Sequence, residues 1–347
     1  MRMVYMQRGT ATLVPGFRRA QVSRALACLL VAACATTSEY AVFTRYSPLS
    51  RNAEIARRVL PPLTHRRIAG AKLAEQAIDL AREKFDVYVP HGAPPTEGYG
   101  LVVFIAPWAA PTQPRRWRAA LDDHGLIFVS PRDAGNDRSV LDRRLPLALL
   151  AYENVRARFR LDASRIYVAG FSGGSRVAET AALAYPDVFR GALLNAGADP
   201  IDGQNGIYKP PVELFRRFQH SRLVYVTGEL DTDNLRQDDV SERSMRAACV
   251  LDVRTVFALH LGHEALDQLS WARALDALDA PRAVDEAELA RCNARVDAEL
   301  AAQLAAVAAT VAHGDRAAAR DQLNALDARF GGLAAPAILE LAAKNAE

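Results

Sequence analysis

The chain has 347 residues, 50% hydrophobic and 24% charged, a globular composition with enough apolar residues for a large core. Its 43 basic and 40 acidic residues leave a net charge of +3, too even a balance for a nucleic-acid-binding surface. No cysteine–histidine group has zinc spacing and no apolar run reaches membrane-crossing length, so no metal, cofactor or spanning helix is expected.

Near the N-terminus, Arg18, Arg19 and Arg24 flank a short apolar stretch, residues 25–33 (ALACLLVAA). The stretch is too short to cross a bilayer and reads as the core of an export signal. It ends in Val31-Ala32-Ala33-Cys34, which resembles the bacterial lipobox. That resemblance implies cleavage before Cys34 and acylation of its thiol. The lipid would hold an exported protein on a membrane of the cell envelope, at roughly 0.8 kcal/mol per buried methylene. A plain secretory peptide is the other reading. Cys249 and Cys292 remain beside Cys34, and in an oxidising compartment they either pair or stay as buried thiols.

Residues 34–84 are expected to be a tether and N-terminal segment, polar as far as residue 50. Residues 73–85 (LAEQAIDLAREKF) have helical composition, yet they run straight into Asp86-Val87-Tyr88-Val89, which alternates as a strand does. From there strands and helices alternate. Residues 100–106 (GLVVFIA) form a near-continuous apolar run, as a strand covered on both faces requires. Helix over 117–124, strand over 126–130, helix over 145–159 and strand over 165–169 follow. A helix over 175–185 then precedes strands over 191–195, 222–227 and 253–260. Such alternation predicts an α/β fold with a mostly parallel sheet and helices on both sides, spanning 85–275. Residues 276–347, rich in Ala, Glu, Asp and Arg, are punctuated by Gly314 and Gly331-Gly332 into about three helices that form a small extension.

Gly170-Phe171-Ser172-Gly173-Gly174 lies between a predicted strand and a predicted helix. A G-x-S-x-G in that context presents its serine on a sharp turn, with glycines where the two backbones must approach closely. The helix that follows starts with free amides, which favour negative charge at the turn. Residues 161–197 (LDASRIYVAGFSGGSRVAETAALAYPDVFRGALLNAG) resemble the nucleophile region of α/β-hydrolase esterases. They are most similar to the polyhydroxybutyrate-depolymerase and feruloyl-esterase type, sharing Asp162 and Arg165 ahead of the strand and Pro186 and Phe189 after the helix. The resemblance covers residues 85–265 and implies an α/β-hydrolase fold and a serine esterase with Ser172 as nucleophile. Its substrate would be a carboxylic ester, an acylated carbohydrate or a polyester. Peptidase or thioesterase chemistry, or a non-catalytic lipoprotein that binds a partner, are the alternatives.

A serine hydroxyl needs a base within hydrogen-bond reach and a carboxylate to orient that base. In this fold they follow in the order serine, acid, histidine. The family's motif places the acid three residues after Gly228, on Asp231, with Asp233 as rival and Glu229 too close to the strand end. Gly262-His263, just past the last strand, matches the family's histidine loop, with His260 as competitor. The oxyanion is expected to meet the amide of Gly173 and a second amide from Pro107-Trp108-Ala109-Ala110-Pro111. Pro107 has no N–H, which leaves Trp108, the preferred donor, or Ala109. Asn136 and Arg138 are candidates to line the site or to flank a helix cap at Asp137. Tyr208 and Lys209 are candidates for a lid or substrate loop.

Overall fold

The computed structural model describes residues 40–69, 73–111, 113–201, 206–281 and 284–346; Cys34 and the export signal lie outside the described residues. Strand β3 (Tyr99–Ile105) is buried along its whole length. Its side chains alternate between two cores. Leu101, Val103 and Ile105 join one apolar cluster, while Val102 and Phe104 join the other. This period of two across a doubly covered sheet accounts for the unbroken apolar run.

Eight strands make one sheet. They are β1 (Tyr40–Ala41), β2 (Phe85–Tyr88), β3, β4 (Leu126–Pro131), β5 (Leu161–Phe171), β6 (Gly191–Asn195), β7 (Arg222–Gly228) and β8 (Val253–Ala258). Their order is β1-β2-β4-β3-β5-β6-β7-β8. β2 runs antiparallel to β1 and β4, and the pairs from β4 to β8 are parallel. This mostly parallel α/β sheet, with an antiparallel edge, brings the ends of β5, β7 and β8 to one edge. One face carries α4 (Leu145–Arg158) and α5 (Gly173–Ala184), whose Leu147, Leu150, Val177 and Ala181 share a core with Leu101 and Val103. The other carries α3 (Arg118–His124) and α8 (Gln268–Asp279), where Trp117 and Trp271 stack with ring centroids 4.1 Å apart.

Three features depart from the sequence reading. The stretch read as a tether is packed from Tyr40 onward: β1 pairs with β2, and Phe43 lies 4.5 Å from the Phe85 ring in the core. Residues 73–84 form no helix; tertiary contacts override their propensity, as where Gln76 Nε2 donates to Ser50 O at 2.6 Å. And α8 runs to Asp279, past residue 275, because Leu275 and Leu278 belong to the sheet's core.

The C-terminal residues form α9 (Glu286–Ala312), α10 (Arg316–Phe330) and α11 (Ala335–Lys344). They enclose an apolar cluster of their own that includes Leu300, Val307, Leu323, Phe330 and Ile338. Leu63, from α2 (Pro62–Ile68), completes it. A disulfide between Cys249 and Cys292, with Cα atoms 5.8 Å apart, ties α9 to the segment before β8. Lys209 Nζ donates to Ile201 O and Arg329 O at 3.0 and 2.6 Å, so its residue serves the joint with α10 and not a lid.

Candidate active site

The turn between β5 and α5 is tight enough to exclude side chains at two places. A Cβ on Gly170 would lie 2.2 Å from Gly174 O, and one on Gly174 would lie 1.9 Å from Ile105 O. Between them Ser172 is held at φ +54° and ψ −123°, a conformation that non-glycine residues rarely adopt. A hydrogen bond from Ser172 N to Asn195 O, 2.8 Å, fixes the turn to the next strand.

The loops after β7 and β8 supply the other two groups. Their backbones interlock: Glu229 N donates to Ala258 O, and Leu230 N to Leu261 O, at 3.0 and 2.9 Å. A Cβ on Gly228 would lie 2.3 Å from Leu261 O, so only glycine lets these loops abut. The result brings together residues far apart in the chain. His263 Nδ1 lies 2.7 Å from Asp231 Oδ2, and His263 Nε2 lies 3.0 Å from Ser172 Oγ. With Nδ1–H donated to the carboxylate, Nε2 carries the lone pair and accepts from the serine hydroxyl. The Asp231 side chain is 8% exposed and the imidazole 46%, so a sheltered anion orients a base that is open to solvent. Burial opposes ionisation of Asp231, but hydrogen bonds from Asn234 and His263 outweigh it and hold the carboxyl below its usual range.

The rivals fall away from this point. Asp233 is 86% exposed and pairs with Arg236 at 3.5 Å. Glu229 faces His260 at 3.5 Å, and that imidazole is 90% exposed. His91, His124 and His220 pair with Asp122, with Asp276 and Asp279, and with Glu286.

The loop after β3 is clamped against residues 133–136. Asn136 N donates to Pro107 O at 2.8 Å and Asp133 N to Ala109 O at 2.7 Å. The buried Arg144 guanidinium bridges the same two segments through Ala106 O and Ala134 O, at 3.1 and 2.8 Å. Among the described residues neither Trp108 N nor Ala109 N donates to a protein acceptor, so both amides stay available. Gly173 stands in the first turn of α5, where amides have no partner within the helix. The Asn136 amide packs against it, leaving no room for a Cβ. Arg138 instead pairs with Asp137 at 3.3 Å, and the helical segment beyond is capped by Ser139, not Asp137. The half-exposed Trp108 ring, Phe171 and the His263 imidazole form a row with centroids 5.8 and 5.1 Å apart.

Asn234 is a part of the site that sequence reading missed. Its position three residues after the acid, in the first turn of α7 (Thr232–Ala247), was the one available signal. Among the described residues no group of three His, Cys, Asp or Glu converges as metal ligands. Geometrically, the arrangement can take a proton from the Ser172 hydroxyl and hold it on His263 while Asp231 balances the imidazolium charge.

No family model matches the chain, and a search of curated proteins finds no match. Among solved structures it is similar to an S-formylglutathione hydrolase from Staphylococcus aureus, at 16% identity over 56% of this chain and 89% of that one, with a TM-score of 0.41. A thermophilic esterase from Thermogutta terrifontis gives 14% identity over 61% and 91%, with a TM-score of 0.43. An acetyl xylan esterase from Aspergillus awamori gives 14% identity over 56% and 94%, with a TM-score of 0.40. At these identities and TM-scores the likeness says nothing of activity or substrate.

Proposed function

We propose that the protein is a serine hydrolase that cleaves a carboxylic ester through an acyl-enzyme on Ser172. The observation that supports this is the unbroken relay Ser172 Oγ, His263 Nε2, His263 Nδ1, Asp231 Oδ2, with spacings of 3.0 and 2.7 Å. In this reading Ser172 Oγ attacks the carbonyl carbon as its proton passes to His263 Nε2. The amides of Gly173 and Trp108 receive the developing oxyanion. His263 then returns the proton to the leaving alkoxide, and a water deprotonated by the same imidazole releases the acid.

The ester class, with acylated carbohydrates and polyesters inside it, follows from the resemblance of residues 161–197. Export and a lipid anchor on Cys34 belong to the same proposal. The Cys249–Cys292 disulfide supports an oxidising compartment. Among the described residues no helix is long and apolar enough to cross a membrane. A fluorophosphonate probe tests the chemistry without knowledge of the substrate. The folded protein should be labelled once, and Ser172→Ala should abolish the label. A folded wild type that stays unlabelled would overturn the proposal.

A further inference from the structure

The carboxylate of Asp231 has more than the imidazole to hold it. Asn234 Nδ2 donates to both of its oxygens, at 3.0 Å to Oδ1 and 2.9 Å to Oδ2. The same nitrogen lies 3.1 Å from His263 Nδ1. Both nitrogens are donors when the imidazole gives its Nδ1–H to Asp231, so they share an acceptor and do not bond each other. The Asn234 amide is itself oriented. Its Oδ1 faces Arg176 Nη2 at 3.4 Å, and the backbone of Gly197, at φ +116°, closes over both groups. A Cβ on Gly197 would lie 2.5 Å from Asn234 Oδ1 and 2.6 Å from Arg176 Nη2.

Arg176 stands on α5, one helical turn after the nucleophile. The contacts therefore close a ring: Ser172, one turn of α5, Arg176, Asn234, Asp231, His263 and back to Ser172. With the amide oxygen turned to a guanidinium, the amide nitrogen has one orientation, toward the carboxylate. We propose that Asn234 is a positioning residue, a two-point clamp that sets the plane of the Asp231 carboxylate so that Oδ2 meets His263 Nδ1. This rests on the hydrolase reading above. Asn234 acts through Asp231 and touches no reacting atom.

The clamp does a task that the acid's own loop does not. Asp231 lies at the N-terminal boundary of α7 without a geometric side-chain cap bond to that helix; the Asn234 backbone N–H also favours its ionised form, but as a single donor it leaves the plane of the carboxylate to the side-chain amide. Without Asn234 the carboxylate would keep the imidazole as its one side-chain partner and could rotate about its own bond. The other charged groups facing this cluster are Arg176 from α5, which pairs with Asp199 at 3.4 Å, and the buried Asp238 on α7.

The test is the second-order rate of fluorophosphonate labelling across pH 5 to 9, for wild type, Asn234→Ala and the isosteric Asn234→Asp. Asn234→Ala should slow labelling roughly tenfold to a hundredfold, the range that a small misplacement of a positioned catalytic group costs. Asn234→Asp puts a second carboxylate beside the imidazole, which favours the imidazolium. The pH of half-maximal labelling should therefore move upward, a shift that reports the contact of residue 234 with the imidazole. The downfield proton resonance of the His263 Nδ1–H should be present in the wild type and lost or displaced in both variants. If Asn234→Ala misfolds, Asn234→Asp alone decides. A folded Asn234→Asp with wild-type rate, profile and resonance overturns the clamp while leaving the hydrolase intact. An unlabelled wild type overturns the hydrolase reading and the clamp with it.

Discussion

Asp238 provides a test of the electrostatics beneath the site. It lies on α7 with its side chain buried; Oδ2 accepts from Thr227 Oγ1 at 2.5 Å, and the Ala198 backbone amide also faces the carboxyl. Burial pushes its carboxyl up to about 7, against the bond from Thr227, and the negative charge of Asp231 adds to the rise. The sign follows from proton binding. Between the unfolded value near 3.8 and the folded value near 7 the folded protein holds a proton that the unfolded chain has released. Stability must fall as pH rises through that window. At 1.36 kcal/mol per unit the full loss is about 4 kcal/mol above pH 7, of which about 3 kcal/mol accrues between pH 5 and pH 8. Asp238→Asn removes the titration and keeps the shape. Urea unfolding of both proteins at pH 5 and pH 8 reads the difference: Asp327, also raised by burial, titrates in both and cancels, while Glu179, raised by burial and in part by the charge of Asp238, is partly relieved in the variant and adds to the change in the same direction. The variant should gain on the wild type by a few kcal/mol more at pH 8 than at pH 5. An equal difference at the two pH values would refute the reasoning.

Three further outcomes follow. Serine at both Cys249 and Cys292 removes the constraint on a loop of 43 residues, worth about 4 kcal/mol in the chain-entropy account; urea midpoints should fall accordingly while the labelling rate of the folded protein holds. Gly174→Ala forces a Cβ against the Ile105 carbonyl, so labelling should collapse, and a labelled variant with a wild-type melting temperature would contradict the tight turn. Trp108→Pro deletes a candidate oxyanion amide and should lower turnover of a nitrophenyl ester by about 10²–10³, whereas Trp108→Ala, which keeps the amide, should cost far less. If Ala109→Pro is the damaging change instead, the donor is Ala109.

The parts of the molecule legible in the sequence are those fixed by local pattern. The apolar run of β3 speaks for itself because both faces of that strand are covered. Ser172 is legible because its turn demands glycines on either side, and His263 and Asp231 because each follows a strand in the order that the fold imposes. What escaped depends on contacts far along the chain. Only its place three residues after the acid marks Asn234 among the polar residues of a first helical turn; the orientation of its amide depends on Arg176, on another helix. The strand β1 has two residues and owes its existence to β2. Phe43 looks isolated in a polar stretch; contacts far along the chain hold that stretch to the core, among them Phe85, the Arg158 guanidinium over the Phe43 ring, and the Asn154 side chain, which accepts from Thr44 N and Arg45 N. The pairing of Cys249 with Cys292 was open for the same reason, since the approach of α9 to the residues before β8 is a tertiary event.

The most direct measurement is to mix the protein with nitrophenyl acetate, quench in acid within the first turnover and map the acetyl group by mass spectrometry. The account predicts one acetyl group, on the peptide that contains Ser172, formed in the wild type and absent from His263→Ala. Nitrophenol release with no adduct, or an adduct on any other side chain, would contradict it.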